Sequence, residues 1–288
     1  MLTHNQLCRG TLLACGGVST TAWPIPDMDG GHYRLPRSRR LSLLVACSLV
    51  LGASNLGPTG AAGDSLSDDE AIAESLAKML QAARSVISDS QPTINDPALG
   101  DKGLTGEVVL ARAVATYKAT TGKDPSASDQ GTRAAWLLRQ QMDAIVEVVD
   151  TNQDIINAKG AGFKAFIPAV FARLVNEAFA RRAKGEGTIK VTAPVELVRN
   201  RKVLPDDFEA AVIHDKFLAS DWPRGQPYEA VVTGPTQPLF RMLVPEYYTA
   251  SCLSCHGSPK GSLDITGYPR EGAGAGDLGG VISITLAR

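Results

Sequence analysis

The sequence has few cysteines, few histidines and few aromatic residues. Its 288 residues include five Cys and four His, and Phe, Trp and Tyr together make up 6%. No cysteine lies between residues 47 and 252, so this long stretch cannot be built on a disulfide framework. With so few aromatic side chains, any large bound group would be lined mainly by aliphatic ones.

The sequence also lacks an apolar run long enough to cross a membrane. The longest candidate, residues 41–51, is too short to span a bilayer. It follows Arg37, Arg39 and Arg40 and precedes small residues at 60–62, a pattern that predicts an export signal over residues 37–62 rather than the alternative, a buried core helix. We therefore expect a periplasmic protein with an N-terminal extension and signal over residues 1–62 and a single domain over residues 63–288.

Residues 44–47 (LVAC) resemble a lipoprotein box. Only a handful of apolar residues separate this box from Arg40, which favours simple export over lipid anchoring. Removal of residues 1–62 would take away three of the five cysteines and leave only Cys252 and Cys255.

Excess positive charge is lacking as well. The formal net charge of the whole chain is −1, and residues 63–288 alone hold 24 basic and 28 acidic residues. This balance argues against nucleic acid or an anionic membrane surface as a partner.

Hydrophobic periodicity divides the remaining chain into two parts. Apolar residues recur at helical spacing in residues 64–88, 106–120, 132–152 and 163–182. The period then changes to the alternation typical of strands in residues 188–198, 228–233, 239–244 and 281–286, with a short helix at 206–218. Helices followed by antiparallel strands predict an α+β fold, with an N-terminal helical layer packed on a small antiparallel sheet.

One short motif carries specific chemistry. Cys252, Cys255 and His256 form a C-x-x-C-H sequence, which is the attachment pattern of a c-type haem. Two thiols at this spacing can add to the two vinyl groups of one haem, and the adjacent imidazole can then bind the iron as its proximal ligand. The sequence therefore predicts one covalently bound haem c.

Other uses of the motif fit less well. A thioredoxin-type C-x-x-C would open a helix, whereas glycine and proline follow here. A zinc site needs about four ligands, and His214 is the only other histidine of residues 63–288. A plain disulfide would leave His256 without a role.

The motif's position excludes the two common cytochrome types. No methionine follows residue 242, as a small c-type cytochrome would require, and the chain ends in a strand rather than in the helix of a four-helix-bundle cytochrome. The chain instead resembles a family of PAS-like single-haem c domains, which occur as free periplasmic proteins and as input modules of bacterial signal-transduction proteins. The resembling stretches are residues 162–171 (GFKAFIPAVF), 198–201 (VRNR), 205–209 (PDDFE), 240–241 (FR), 245–248 (PEYY), 252–257 (CLSCHG), 264–269 (DITGYP) and 276–283 (GDLGGVIS).

The resemblance implies a haem held against a PAS-like sheet, with Cys252, Cys255 and His256 as haem residues. In some members a cysteine of the N-terminal helical region is the second axial ligand, but this chain has no cysteine there. The remaining candidates are Met242, Met79, Met142 and His214, and an open or water-filled position is the further alternative.

These observations lead to a functional expectation. We expect electron transfer or redox sensing with a redox or signalling partner protein, and as an alternative a gas- or ligand-binding sensor module that signals through a separate partner. We expect no enzymatic activity, since no distal acid–base histidine identifies a peroxidase. The cationic side chains expected near the haem propionates are those of Arg199, Arg241, Lys260 and Arg270.

Overall fold

The computed structural model describes residues 61–127 and 131–288, so the predicted export signal, apart from Ala61 and Ala62, lies outside the described residues. In the described part, helices come first and a four-stranded antiparallel sheet follows, which confirms the predicted α+β class. None of the helices in these two ranges is both long and apolar enough to span a membrane.

The helical layer follows the predicted periodicity closely. Its elements are α1 (Ala61–Asp89), α2 (Gln91–Ile94), α3 (Gly106–Thr121), α4 (Arg133–Thr151), α5 (Gln153–Ile156) and α6 (Pro168–Arg182). Two of them begin at a capping threonine: the hydroxyl of Thr105 accepts a hydrogen bond from the N–H of Val108, and that of Thr132 accepts one from the N–H of Ala135. Each cap satisfies a backbone donor that the first helical turn would otherwise leave unpaired.

Helix α6 begins five residues later than the sequence pattern indicated. The predicted helix starts at residue 163, whereas the observed one starts at Pro168. Proline disfavours helical geometry in the residue before it, and Ile167 is indeed extended. Ala165, at φ 57°, is also outside the helical range.

The sheet contains β1 (Gly187–Thr192), β2 (Tyr228–Thr233), β3 (Pro238–Tyr247) and β4 (Leu278–Ala287), in the order β1-β4-β3-β2. The short helix α7 (Asp207–Val212) precedes β2, and a π-helical turn continues it over Ile213–Phe217. Strand β1 ends at residue 192 rather than at the predicted residue 198, because a turn of 3-10 helix follows at Val195–Leu197.

The core lies between the helical layer and one face of the sheet. Phe240, Met242 and Val244 alternate along β3 and join the same buried cluster as Leu76 and Phe179 of the helices. Leu243, which points the other way, belongs to a smaller cluster under α7 and the π-helical turn. Full burial of such side chains stabilises the fold by about 1.5–3 kcal/mol each.

A long connection between the two central strands carries the C-x-x-C-H motif. Strands β3 and β4 pair with each other, and residues 248–277 leave and re-enter the sheet at the same end. Two backbone hydrogen bonds close the base of this connection, from Tyr248 N–H to the Asp277 carbonyl at 2.9 Å and from Gly276 N–H to the Tyr248 carbonyl at 2.8 Å. We call residues 248–277 the motif loop.

Candidate functional site

The three motif residues lie on one short helical segment of the motif loop. A 3-10 turn at Ala250–Cys252 runs directly into α8 (Leu253–His256), which has Gly257 as its C-cap. The motif thus opens a single helical turn, which the glycine and proline after it did not lead us to expect. Cys255 and His256 follow Cys252 by three and four residues, a spacing at which helical side chains are neighbours, so this segment brings each of them next to Cys252. Both cysteines are free thiols and half-buried, which leaves their sulfur atoms available for covalent attachment.

A small hairpin returns the chain to the motif. Gly261 N–H donates to the Arg270 carbonyl at 2.9 Å, and Arg270 N–H donates to the Ser262 carbonyl at 2.8 Å. The turn of this hairpin includes Gly267 at φ 79°, a conformation that glycine adopts without steric cost. Beyond the hairpin, Ala273 N–H donates to the His256 carbonyl at 2.9 Å, which brings the neighbouring residues alongside the histidine.

The returning chain places the carboxylate of Glu271 beside the ring of His256. The Nδ1 atom of His256 lies 2.9 Å from Glu271 Oε2 and 3.3 Å from the hydroxyl of Tyr248. A carboxylate only accepts hydrogen bonds, and the shorter distance is to Glu271, so we assign the Nδ1 proton to this bond. In the part of the chain that the structure describes, no hydrogen bond reaches Nε2 of His256, whose lone pair is therefore free to bind a metal.

Tyr248 fixes the plane of the imidazole. The two rings stack with their centroids 4.9 Å apart and their planes inclined by 23°. Burial, assisted by the negative charge of Glu271, raises the pKa of Tyr248 to about 12, so the phenol stays neutral. Gly279 on β4 allows this packing, since a Cβ atom there would lie 2.5 Å from the tyrosine ring.

An arginine holds the carboxylate in turn. Arg199 donates from Nε to Glu271 Oε1 at 2.8 Å and from Nη2 to Oε2 at 3.0 Å, a two-point contact. Its Nη1 donates to Asp264 Oδ2 at 2.7 Å, and Nη2 also donates to the Cys255 carbonyl at 3.0 Å. Partial burial by itself raises the pKa of Glu271, but hydrogen bonds from Arg199, the backbone and His256 outweigh this effect and keep the pKa below its ordinary value.

Asp264 completes the hydrogen-bond network of His256, Glu271 and Arg199. Its side chain is fully buried, and Oδ1 accepts hydrogen bonds from the N–H and hydroxyl of Thr266 and from the N–H of Tyr268. Burial alone raises the pKa of Asp264, but the hydrogen bonds from Thr266, Arg199 and Tyr268 prevail and hold it well below its usual range. The carboxylate is thus ionised, and its hydrogen bonds to Thr266 and Tyr268 hold the turn of the hairpin together.

The predicted distal ligands lie in three kinds of environment. Met79 and Met242 are almost completely buried in the core between the helices and the sheet, and Met142 packs against the same core while half-buried. The side chain of His214 is 84% exposed and bonds Asp215. Met242 precedes the end of β3 by five residues, or about 17 Å along a strand. The structure therefore unites Cys252, Cys255 and His256, and none of the other four is part of the motif loop.

The four cationic residues also differ. Arg199 is bound by the two carboxylates described above, and Arg241 is bound by Asp206 and Glu209 and covers the ring of Phe208. The exposed Lys260 and the half-buried Arg270 flank the hairpin. Arg270 Nη1 donates to the Ser258 carbonyl at 3.2 Å, and its Nε is buried with no hydrogen-bond partner among the described residues. The Nε atom of Arg241 is likewise buried with no hydrogen-bond partner among the described residues. Arg241 lies on β3, however, whereas Arg270 lies in the motif loop, so Arg270 is the better-placed candidate for an anionic group bound at the motif.

The ligand set does not resemble that of a zinc centre. Within residues 61–127 and 131–288, no three His, Cys, Asp or Glu side chains are grouped as a metal site of their own. Two thiols with one histidine leave further ligands to be supplied, whereas a haem supplies four nitrogens itself. The residues present fit a c-type haem, since the thiols are free and His256 is oriented by a hydrogen bond on its other nitrogen, as metal-binding histidines usually are.

Sequence reasoning did not find Glu271 or its contact with Arg199. The glutamate is 15 residues beyond the histidine in a loop without periodicity, so no spacing rule identifies it. Tyr248 lies in the resembling stretch at residues 245–248, but the sequence does not indicate that its ring stacks on His256.

Comparison with known proteins identifies one similarity. A family model described as Tll0287-like matches residues 65–287, which is almost all of the described part of the chain. Neither the comparison with curated proteins nor that with solved structures gave a match.

Proposed function

This chain belongs to the Tll0287-like family, and on that premise we propose that it is an exported protein that carries one haem c. The thiols of Cys252 and Cys255 hold the haem through thioether bonds, and Nε2 of His256 is the proximal iron ligand. The observation that carries the proposal is the state of the histidine, whose Nδ1 is engaged by Glu271 at 2.9 Å while Nε2 is free. Membership of a family of haem-binding, sensor-like domains supports it.

The protein's own residues have distinct tasks in this proposal. Glu271 holds the proton on Nδ1 and so presents the Nε2 lone pair to the metal, while Tyr248 keeps the imidazole from rotating. Arg270 offers an unpaired buried N–H to a propionate. When bound, the haem supplies an iron that cycles between the ferrous and ferric states.

The proposed activity is electron transfer or redox sensing in the periplasm, with a redox or signalling protein as partner. A site whose ligand orientation is fixed by packed side chains changes little between oxidation states, which favours one-electron chemistry. The absence of an identified distal acid–base residue disfavours a peroxidase, as the only histidine besides His256 in the described ranges is exposed and bonded to Asp215.

A second function, binding of a small gas by an open iron position, has one observation in its favour. Of the four candidate distal ligands, Met79 and Met242 are buried in the core, Met142 packs against the same core, and His214 is exposed. If none of these reaches the iron, an iron held by His256 would remain open to a ligand such as carbon monoxide.

The test begins with attachment. The full-length gene is expressed in a host that matures c-type haem, and the periplasmic product is analysed by intact mass spectrometry. We expect a processed chain with the added mass of one haem, and no added haem in a C252S/C255S double variant. A S251A/S254A double variant from the same segment serves as the matched control and should retain the haem. A wild-type protein without haem would refute the proposal.

Spectra then separate the two functions. Oxidised and reduced spectra are recorded with and without carbon monoxide. Low-spin spectra that carbon monoxide leaves unchanged support electron transfer or redox sensing. A ferrous form that binds carbon monoxide supports gas sensing, and efficient turnover of peroxide would support an enzyme instead.

A further inference from the structure

We infer that Glu271 lowers the reduction potential of this site. Its negatively charged carboxylate, hydrogen-bonded to the proximal histidine, favours the ferric state over the ferrous state. Glu271 is a positioning residue that acts through His256 and does not touch the metal. The inference rests on the proposed function, since it requires a haem iron on Nε2 of His256.

The contact has the geometry of a strong hydrogen bond. Glu271 Oε2 lies 2.9 Å from Nδ1 of His256, and the side chain of Glu271 is only 16% exposed. A carboxylate partner on the far nitrogen makes a metal-bound imidazole a more basic ligand and gives it partial imidazolate character. A more electron-rich ligand stabilises the higher charge of ferric iron over ferrous iron.

The charges joined to Glu271 by hydrogen bonds do not cancel this effect. Glu271 and Asp264 contribute two negative charges, and Arg199 contributes the one positive charge bonded to both. The cluster therefore retains one net negative charge next to His256. The side chains of Arg199 and Asp264 are 20% and 0% exposed, so solvent screens this charge less than it would at the surface.

The arrangement also prevents Glu271 from moving away. Arg199 donates hydrogen bonds to both carboxylate oxygens of Glu271. The same arginine is held in place by hydrogen bonds to Asp264 and to the Cys255 carbonyl. The hydrogen-bond acceptor is thus anchored to the backbone of the motif that would carry the haem. Such support is what holds a ligand in one geometry through a change of charge at the metal.

The experiment compares two glutamate-to-glutamine variants in the full-length, haem-loaded protein. Glu271→Gln keeps the size of the side chain and a hydrogen-bond acceptor but removes the charge. Glu177→Gln is the matched control, because Glu177 also bonds an arginine, Arg173, at 2.8 Å, on the surface of α6. The potential of the one-electron couple is measured by spectroelectrochemistry, with the electrode as the electron source.

We expect Glu271→Gln to shift the ferric–ferrous equilibrium at least tenfold toward ferrous, which corresponds to about 59 mV upward for one electron. The control should leave the potential unchanged. A haem-loaded Glu271→Gln protein with the wild-type potential would overturn the inference and leave the proposed function intact. A wild-type protein without haem would instead overturn the proposed function, and the two failures are therefore distinct.

A measurement on the wild-type protein covers the case in which the variant does not fold. In protein labelled with ¹⁵N-histidine, NMR of the ferrous form, with carbon monoxide added if it is not already low-spin, should show a slowly exchanging proton on Nδ1 of His256. A rapidly exchanging proton would mean that Glu271 does not hold it, and this result overturns the inference without any substitution.

Discussion

The carbonyl oxygen of Cys255 accepts a 3.0 Å hydrogen bond from Nη2 of Arg199, a residue 56 positions earlier in the chain. Arg199 comes just after the 3-10 turn that follows β1, and Cys255 lies in the motif loop between β3 and β4. The bond therefore ties the motif to a part of the fold outside its own loop. Four predictions follow from this network and from the core beside it.

Loss of Arg199 should destabilise the protein strongly. Arg199→Ala leaves the carboxylate of Asp264 buried without its cationic partner, and breaking a buried pair from one side costs about 3–5 kcal/mol. Urea denaturation measures the change in the free energy of unfolding. Arg173→Ala, which removes an exposed pair on α6, should change it by less than about 1 kcal/mol. Equal effects of the two substitutions would contradict this account.

The contribution of Asp264 should depend on pH in one direction. Because its folded-state pKa lies below the ordinary value of 3.8, the ionised carboxylate stabilises the fold above pH 3.8 and loses this effect as pH falls toward the folded-state pKa. Asp264→Asn should thus be less stable than wild type at pH 7, by about 1–3 kcal/mol. Urea titrations from pH 7 downward should show the gap narrowing below pH 4. A gap independent of pH would argue against an ionised Asp264.

Gly279→Ala should disturb the histidine from outside the motif. The new Cβ atom would lie 2.5 Å from the ring of Tyr248, and the ring that has to move is the one stacked on His256. Overpacking of this kind costs about 1–3 kcal/mol. In the haem-loaded protein we also expect an altered ferric spectrum. Gly162→Ala, at a site with open space around it, should match wild type in both the free energy of unfolding and the ferric spectrum.

The two buried methionines should behave as core residues. Met79→Leu and Met242→Leu conserve volume and should each cost less than about 1.5 kcal/mol, and neither should alter the spectra of the haem-loaded protein. The reason is that both side chains pack between the helices and the sheet. Loss of a low-spin spectrum in only one of these variants would identify that methionine as the distal ligand.

The fold was largely predictable because its signals are periodic. The apolar stripes of α1, α3 and α4 and the alternation in β2 and β4 each extend over several repeats, so their positions agree with the structure to within a few residues. The errors arose where a single residue overrides the period. Pro168 delays α6, and the chain turns away from the sheet after Thr192 although its residues continue to favour a strand.

The site was predictable only where it is contiguous in sequence. Cys252, Cys255 and His256 adjoin one another, so the sequence itself displays their relationship. Glu271 reaches His256 only through the hairpin at residues 261–270, and Arg199 reaches Glu271 across 72 residues of sequence. No local pattern encodes such pairings, since they depend on how the motif loop is folded back.

The closed base of the motif loop separates the sheet from what the loop contains. The hydrogen bonds that join Tyr248 to Gly276 and Asp277 lie where the pairing of β3 with β4 ends. The two central strands are thus paired without any partner from residues 249–275. A change within the C-x-x-C-H segment should therefore alter the loop and leave the strand register as it is.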